Sequence, residues 1–182
     1  MLTIRQIHKK DFPFGKKVFY TYTSQKNYQL HSEKAENGWS FSLKEETFES
    51  PFVKELEEEI FEPYKEGSEV YLAEWDGEEA AIMVIQEMGW NHTLLIHDLY
   101  VKSGFQRLGI GNSLIAAAKK RANELNVRSI MLETQTSNYP AVQFYLRNDF
   151  DMIGFNTISY SNDDVKNKEV RIEMAYLPEE RK

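Results

Sequence analysis

The sequence predicts an α/β fold in which a mixed sheet is flanked by helices. Three observations point to it. Residues 70–101 read as three successive strands joined by tight turns. Residues 110–125 carry an apolar stripe at helical spacing. Strand and helix signals then alternate to residue 176.

Thr3 to His8 alternates weakly and reads as a first strand. Phe12 to Tyr28 is aromatic-rich and fits neither period. Trp39-Ser40-Phe41-Ser42-Leu43 alternates apolar with polar, as a half-buried strand does. Phe52, Leu56, Ile60 and Phe61 fall near helical spacing, so a short helix is expected after Pro51, although its run of like charge opposes it. Val70 to Trp75 is a strand, Asp76-Gly77 a hairpin turn, and Ala80 to Glu87 the return strand. Gly89 to His92 turns into Leu94–Val101, an almost unbroken apolar run that suggests burial on both faces. Ile110, Leu114, Ala118, Ala122 and Leu125 then line one face of a helix. Arg128 to Glu133 is a strand. Asn138-Tyr139-Pro140 opens a second helix that runs to about Asn148, and Phe150–Tyr160 and Glu169–Tyr176 are the last two strands.

The chain has 182 residues, 41% hydrophobic and 28% charged, which fits one globular domain and excludes a disordered tail or a membrane bundle. No apolar run is long enough for a membrane span and no secretory stretch opens the sequence, so a cytoplasmic protein that avoids membranes is expected. Cysteine is absent, which removes disulfides, thiolate metal sites and a cysteine nucleophile. The four histidines lack metal-ligand spacing, so no metal is expected. The net charge is −7, and residues 45–69 alone contain ten acidic and two basic residues. Such a segment repels nucleic acid and draws in cations; it can equally be a solvated acidic face.

The loop Gln106-Arg107-Leu108-Gly109-Ile110-Gly111 follows the buried strand and opens the amphipathic helix. Glycines there let a ligand approach the backbone, and the helix N-terminus favours phosphate oxygens. The loop lacks the Gly-Lys-Ser/Thr of a P-loop and the third glycine of a dinucleotide fingerprint. The order strand, Gln-x-x-Gly-x-Gly, helix, Ile130-Met131-Leu132-Glu133-Thr134, Asn138, Phe144-Tyr145 and Phe150 resembles the GCN5-related N-acetyltransferase (GNAT) family. The likeness is strong over residues 70–177 and weak over the first 69. Met131 to Gln135, Asn37 to Phe41 and Ser50-Pro51-Phe52 look most like the streptothricin acetyltransferases of that family.

The resemblance implies a single domain over residues 1–182. Residues 1–69 would face the acceptor and 70–177 would form the acetyl-CoA-binding core, with a splayed central sheet. It implies that acetyl-CoA lies between strands Leu94–Val101 and Arg128–Thr134. The backbone of Leu99, Tyr100 and Val101 would pair with the pantetheine arm. Gln106, Arg107, Leu108, Gly109, Ile110, Gly111 and Asn112 would cradle the pyrophosphate. Asn138 would contact the pantetheine side, and Tyr145 would stand by the thioester sulfur. A tyrosine hydroxyl can protonate a departing thiolate. Asp98 and Glu133 are the candidate bases, and each can equally be a structural acceptor. His97 reads as a packed histidine rather than a catalyst. Three positions depart from the family: Arg107 and Asp149 stand where glycine is usual, and Ser103 where proline is usual. Asp149 then needs a left-handed backbone.

The implied reaction is direct acetyl transfer from acetyl-CoA to a primary amine. The acidic segment, interleaved with Trp39, Phe41, Phe48, Phe52, Phe61 and Tyr64, suits a small cationic acceptor such as a streptothricin-like antibiotic, unless those aromatics are core. Polyamines, peptide or protein amines, and a non-catalytic acyl-CoA-binding module are the alternatives. A monomer or homodimer is expected.

Overall fold

A computed structural model of the chain describes residues 1–178. In chain order its strands are β1 (Leu2–Ile7), β2 (Lys17–Ala35), β3 (Gly38–Glu59), β4 (Glu69–Trp75), β5 (Glu78–Met88), β6 (Thr93–Val101), β7 (Ser129–Gln135), β8 (Asp151–Asn156) and β9 (Arg171–Tyr176). The helices are α1 (Ile110–Glu124), α2 (Tyr139–Leu146) and α3 (Asp164–Asn167). Seven strands form a mixed sheet in the order β1-β4-β5-β6-β7-β9-β8, and β2 and β3 form a separate two-stranded ribbon. This is the mixed α/β architecture that the sequence predicts.

The chain divides into two compact units. The first comprises Met1–Thr21, Glu55–Leu132 and the described residues from Ala175 onward. It contains β1, β4, β5, β6 and α1. Asp76 (φ 51°) and Gly77 (φ 87°) are both left-handed, as the tight β4–β5 hairpin demands. A core of Ile7, Val18, Ile60, Val70, Leu72, Ile82 and Val84 lies against this sheet, with Phe61 and Tyr100 packed on it. On α1 the predicted stripe is buried at Ile110, Leu114, Ile115, Ala118 and Ala122.

β6 is the strand on which the first unit turns. It pairs antiparallel with β5, but the register slips: Ile85 faces Ile96 and Val84 faces Asp98, so His97 faces no residue. This is a β-bulge, one extra residue in one strand. Pairing with β7 is parallel, runs from Thr93↔Ser129 to Ile96↔Leu132, and ends there among the described residues.

The second unit comprises Tyr22–Lys54 and Glu133–Met174. The Asn138 side chain accepts a hydrogen bond from the Ala141 N–H and so caps α2, and Pro140 occupies its first turn. After the helix, Asp149 is left-handed at φ 65°, and the Phe150 N–H reaches the Tyr145 carbonyl at 3.1 Å. The expectation for Asp149 is met for the reason given, since this turn geometry ordinarily takes glycine. Two expectations fail. The segment after Pro51 is strand, not helix, because β3 continues to Glu59. Spacing of four residues satisfies a strand as well as a helix: Phe48 and Phe52 stack at 5.2 Å on one strand face. The aromatic stretch from Phe12 contains the start of β2, and the last two strands are shorter than predicted, with α3 between them.

Replacing Asp149 with valine is expected to lower stability by about 1 kcal/mol, because a β-branched side chain resists this φ. Asp149→Gly is expected to be neutral or stabilising. Urea denaturation of the two variants measures both.

Candidate active site

The residues expected to hold acetyl-CoA all lie in the first unit, apart from Asn138 and Tyr145. The Lys102 N–H donates to the Ala80 carbonyl at 2.9 Å, so Lys102, Tyr100 and Asp98 direct their backbone groups to β5. By alternation Leu99 and Val101 direct theirs to the opposite edge. The Gln106 Nε2 donates to the Val101 carbonyl at 3.2 Å from that side. The bulge decides this parity. Without the extra residue, Asp98 and Tyr100 would face the free edge and Leu99 and Val101 would face β5.

The loop after β6 ends in an uncapped helix. Gly109 is the N-cap of α1, left-handed at φ 81°, and no side chain caps this end. Nothing approaches within 4 Å of the place its Cβ would occupy. The first intrahelical bond runs from the Ser113 N–H to the Gly109 carbonyl at 3.0 Å, so the amides of Ile110 and Gly111 have no preceding turn to bond. Ile110 is buried. Gln106, Arg107, Leu108 and Asn112 are exposed. Arg107 takes a left-handed φ of 63°, the conformation for which glycine is suited, and brings a cation to the loop. An open backbone edge, a glycine cradle and a positive helix end fit a thioester arm ending in a pyrophosphate.

Of the candidate acids and bases, Asp98 is nearly buried. Its Oδ1 accepts from the Tyr20 hydroxyl at 3.0 Å and its Oδ2 pairs with Lys65 Nζ at 2.8 Å. Burial works to lower the Lys65 pKa, but Asp98 and Tyr64 outweigh it and hold the ammonium above its ordinary value. In the second unit, Glu133 Oε2 pairs with Arg171 Nη1 at 2.7 Å and the carboxylate is otherwise open to solvent. Tyr145 is 7% exposed and packs between Phe144 and Phe150, with ring centroids 5.3 and 5.7 Å away. Tyr22 donates to or accepts from Ser137 Oγ at 3.0 Å, and burial pushes its hydroxyl up to about 12.

The Acetyltransferase (GNAT) family model covers residues 39–150, which include β6, the glycine loop, α1, Glu133 and Tyr145. The chain belongs to the GNAT family. Among similar acetyltransferases, Streptothricin acetyltransferase A of Bacillus subtilis (strain 168) is 30% identical over 137 residues, which is 73% of this chain and 78% of the relative. A Bacillus anthracis str. Ames protein assigned to the streptothricin acetyltransferases, solved in complex with acetyl coenzyme A, is 25% identical with a TM-score of 0.76, over 98% of both chains. A nourseothricin acetyltransferase shares the fold at a TM-score of 0.76 and 23% identity, over 97% of this chain and 98% of that one.

This GNAT acetyltransferase uses its acidic segment unevenly. Glu45 pairs with Lys26 at 3.0 Å, and Glu57 pairs with Lys17. Glu59 accepts the amides of Lys16 (2.8 Å) and Phe61 (3.2 Å); they overcome its burial and hold it below the ordinary carboxylate range. Glu58, between Glu57 and Glu59, is half-buried and has no hydrogen bond or ion pair among the described residues. Burial raises its pKa, Lys65 opposes this, and Asp98 and Glu62 add to it. The aromatics divide likewise: Trp39, Phe41 and Tyr64 are exposed, whereas Phe61 stacks on Phe12 and joins the core. Neither Glu58 nor Lys65 stands out in the sequence, since both sit in a run of charge that reads as solvated.

A carboxyl whose folded-state pKa is raised costs the folded protein stability when ionised. That cost is complete above the folded pKa and absent below the ordinary carboxylate range. Glu58→Gln is therefore expected to raise the melting temperature at neutral pH by on the order of 1 °C. The gain should vanish near about pH 4. Thermal melts across pH test it; a gain that grows in acid would contradict the assignment.

Proposed function

We propose that this enzyme transfers the acetyl group of acetyl-CoA directly to a primary amine of a small cationic acceptor of the streptothricin kind. The observation that carries the reading is the free edge of β6, with Leu99 and Val101 directed outward, leading into the uncapped end of α1. The backbone of Leu99 and Val101 pairs with the pantetheine arm. The amides of residues 106–111, with Arg107 and Asn112, hold the pyrophosphate. Asn138 lies along the pantetheine side.

The acceptor nitrogen attacks the thioester carbonyl; the C–N bond forms and the C–S bond breaks. Backbone amides that lack a sheet partner polarise that carbonyl. The Tyr145 hydroxyl gives its proton to the departing thiolate and is restored by the proton that the attacking nitrogen sheds as the amide forms. The ammonium of the acceptor must first lose a proton, and Glu133, open to solvent and held through one oxygen by Arg171, takes it through water. Asp98 has both oxygens engaged, which favours a positioning role. With no cysteine in the chain, a cysteinyl acyl-enzyme is excluded, which favours direct transfer within a ternary complex. The cationic acceptor is supported by the names of the relatives and by the concentration of acid in residues 45–69.

Release of CoA thiol with streptothricin, an aminoglycoside, spermidine and a lysine peptide tests the acceptor. Turnover is expected with streptothricin, with a KM that rises with ionic strength. Turnover confined to the peptide would overturn the acceptor class. Tyr145→Phe is expected to lower kcat by about a hundredfold while leaving the KM for acetyl-CoA nearly unchanged.

A further inference from the structure

The bulge at His97 is held by one short turn. Residues 63–66 follow β3, and three consecutive residues of this turn reach the bulge or its support. The Tyr64 ring meets the His97 ring edge-on, with centroids 6.1 Å apart. Lys65 Nζ pairs with Asp98 Oδ2 at 2.8 Å. The Glu66 carbonyl accepts from Gln86 Nε2 at 2.8 Å, and Gln86 Oε1 meets His97 Nε2 at 2.7 Å. Tyr20 closes the far side of Asp98 through Oδ1. All of these groups belong to the first unit.

The Lys65 and Asp98 side chains are 3% and 9% exposed, and beyond their ion pair neither Nζ nor Oδ2 has a hydrogen-bond partner among the described residues. Such a pair is a poor source of stability. The cost of removing two charges from water offsets their attraction, and an apolar pair of similar volume often serves the fold as well. What the ion pair does have is a directed grip on the residue just after the bulge. A bulge leaves one residue unpaired and interrupts the ladder, so its position depends on contacts outside the two strands.

We propose that Lys65, acting through Asp98, pins the His97 bulge and so fixes which backbone groups of β6 face the acetyl-CoA arm. Lys65 is a positioning residue, and the turn at 63–66 is the clamp. The inference rests on the reading of the Leu99–Val101 edge as the acetyl-CoA strand. If the bulge slips, the alternation changes phase and the wrong amides reach that edge.

The test compares wild type, Lys65→Met and the double variant Lys65→Met/Asp98→Leu, which replaces the ion pair with an apolar pair. Three quantities are measured: thermal midpoint, amide hydrogen exchange over residues 96–101 in the free protein, and acetyl-CoA affinity by calorimetry. Lys65→Met is expected to speed exchange over 96–101 and weaken acetyl-CoA binding by about tenfold or more. The double variant is expected to regain the thermal midpoint but neither the slow exchange nor the affinity. Recovery of affinity together with stability would overturn the proposal, as would a folded Lys65→Met protein with wild-type exchange and affinity. If the single variant does not fold, the double variant decides alone. Exchange is read without ligand, so a wild type that fails to bind acetyl-CoA would overturn the functional reading and leave the clamp to be judged by exchange.

Discussion

Alternation of backbone groups along a strand is the constraint on which this molecule depends. A residue in a sheet directs both its N–H and its C=O to one neighbour, and the next residue directs its own to the other. β6 must serve β5 on one edge and, past Ile96, leave the other edge open. One extra residue at His97 changes the phase between these two duties. The ladder with β7 below the bulge and the outward-facing Leu99 and Val101 above it are compatible only because of that residue.

The charges follow the same division of labour. Some of the acids in residues 45–69 are answered by lysines or backbone amides, as Glu45, Glu57 and Glu59 are. The segment therefore contributes to the ribbon as well as to the field that a cation would meet. Two of its members lie inward. Lys65 is satisfied by Asp98, and Glu58 is half-buried with no hydrogen bond or ion pair among the described residues. Pairing fixes structure at the first, and at the second burial raises the carboxyl pKa against the pull of Lys65.

The legible parts of the sequence were those with a strong period or a special backbone residue. The hairpin at Asp76-Gly77, the stripe of α1, the cap at Asn138 and the left-handed turn at Asp149 each carry a local physical signature, and each is found where expected. The glycine loop before α1 was legible for the same reason, since Gly109 is left-handed at the start of an amphipathic helix. The segment after Pro51 misled because a four-residue spacing is common to both periods. The bulge left no mark at all, since an extra residue in an apolar strand looks like any other. Lys65 was hidden by its neighbours: a lysine among glutamates reads as solvent-exposed, and only its tertiary partner makes it internal.

The two main helices begin in different ways. Asn138 caps α2 with its side chain, whereas at Gly109 no side chain caps α1. An anion that binds the folded helix end and not the unfolded chain adds to stability by mass action, so the folded population becomes a function of ligand concentration. With such an anion bound, the first turn of α1 would join metabolite supply to protein lifetime thermodynamically: a cell rich in the ligand would hold more of the chain in its folded, protease-resistant form.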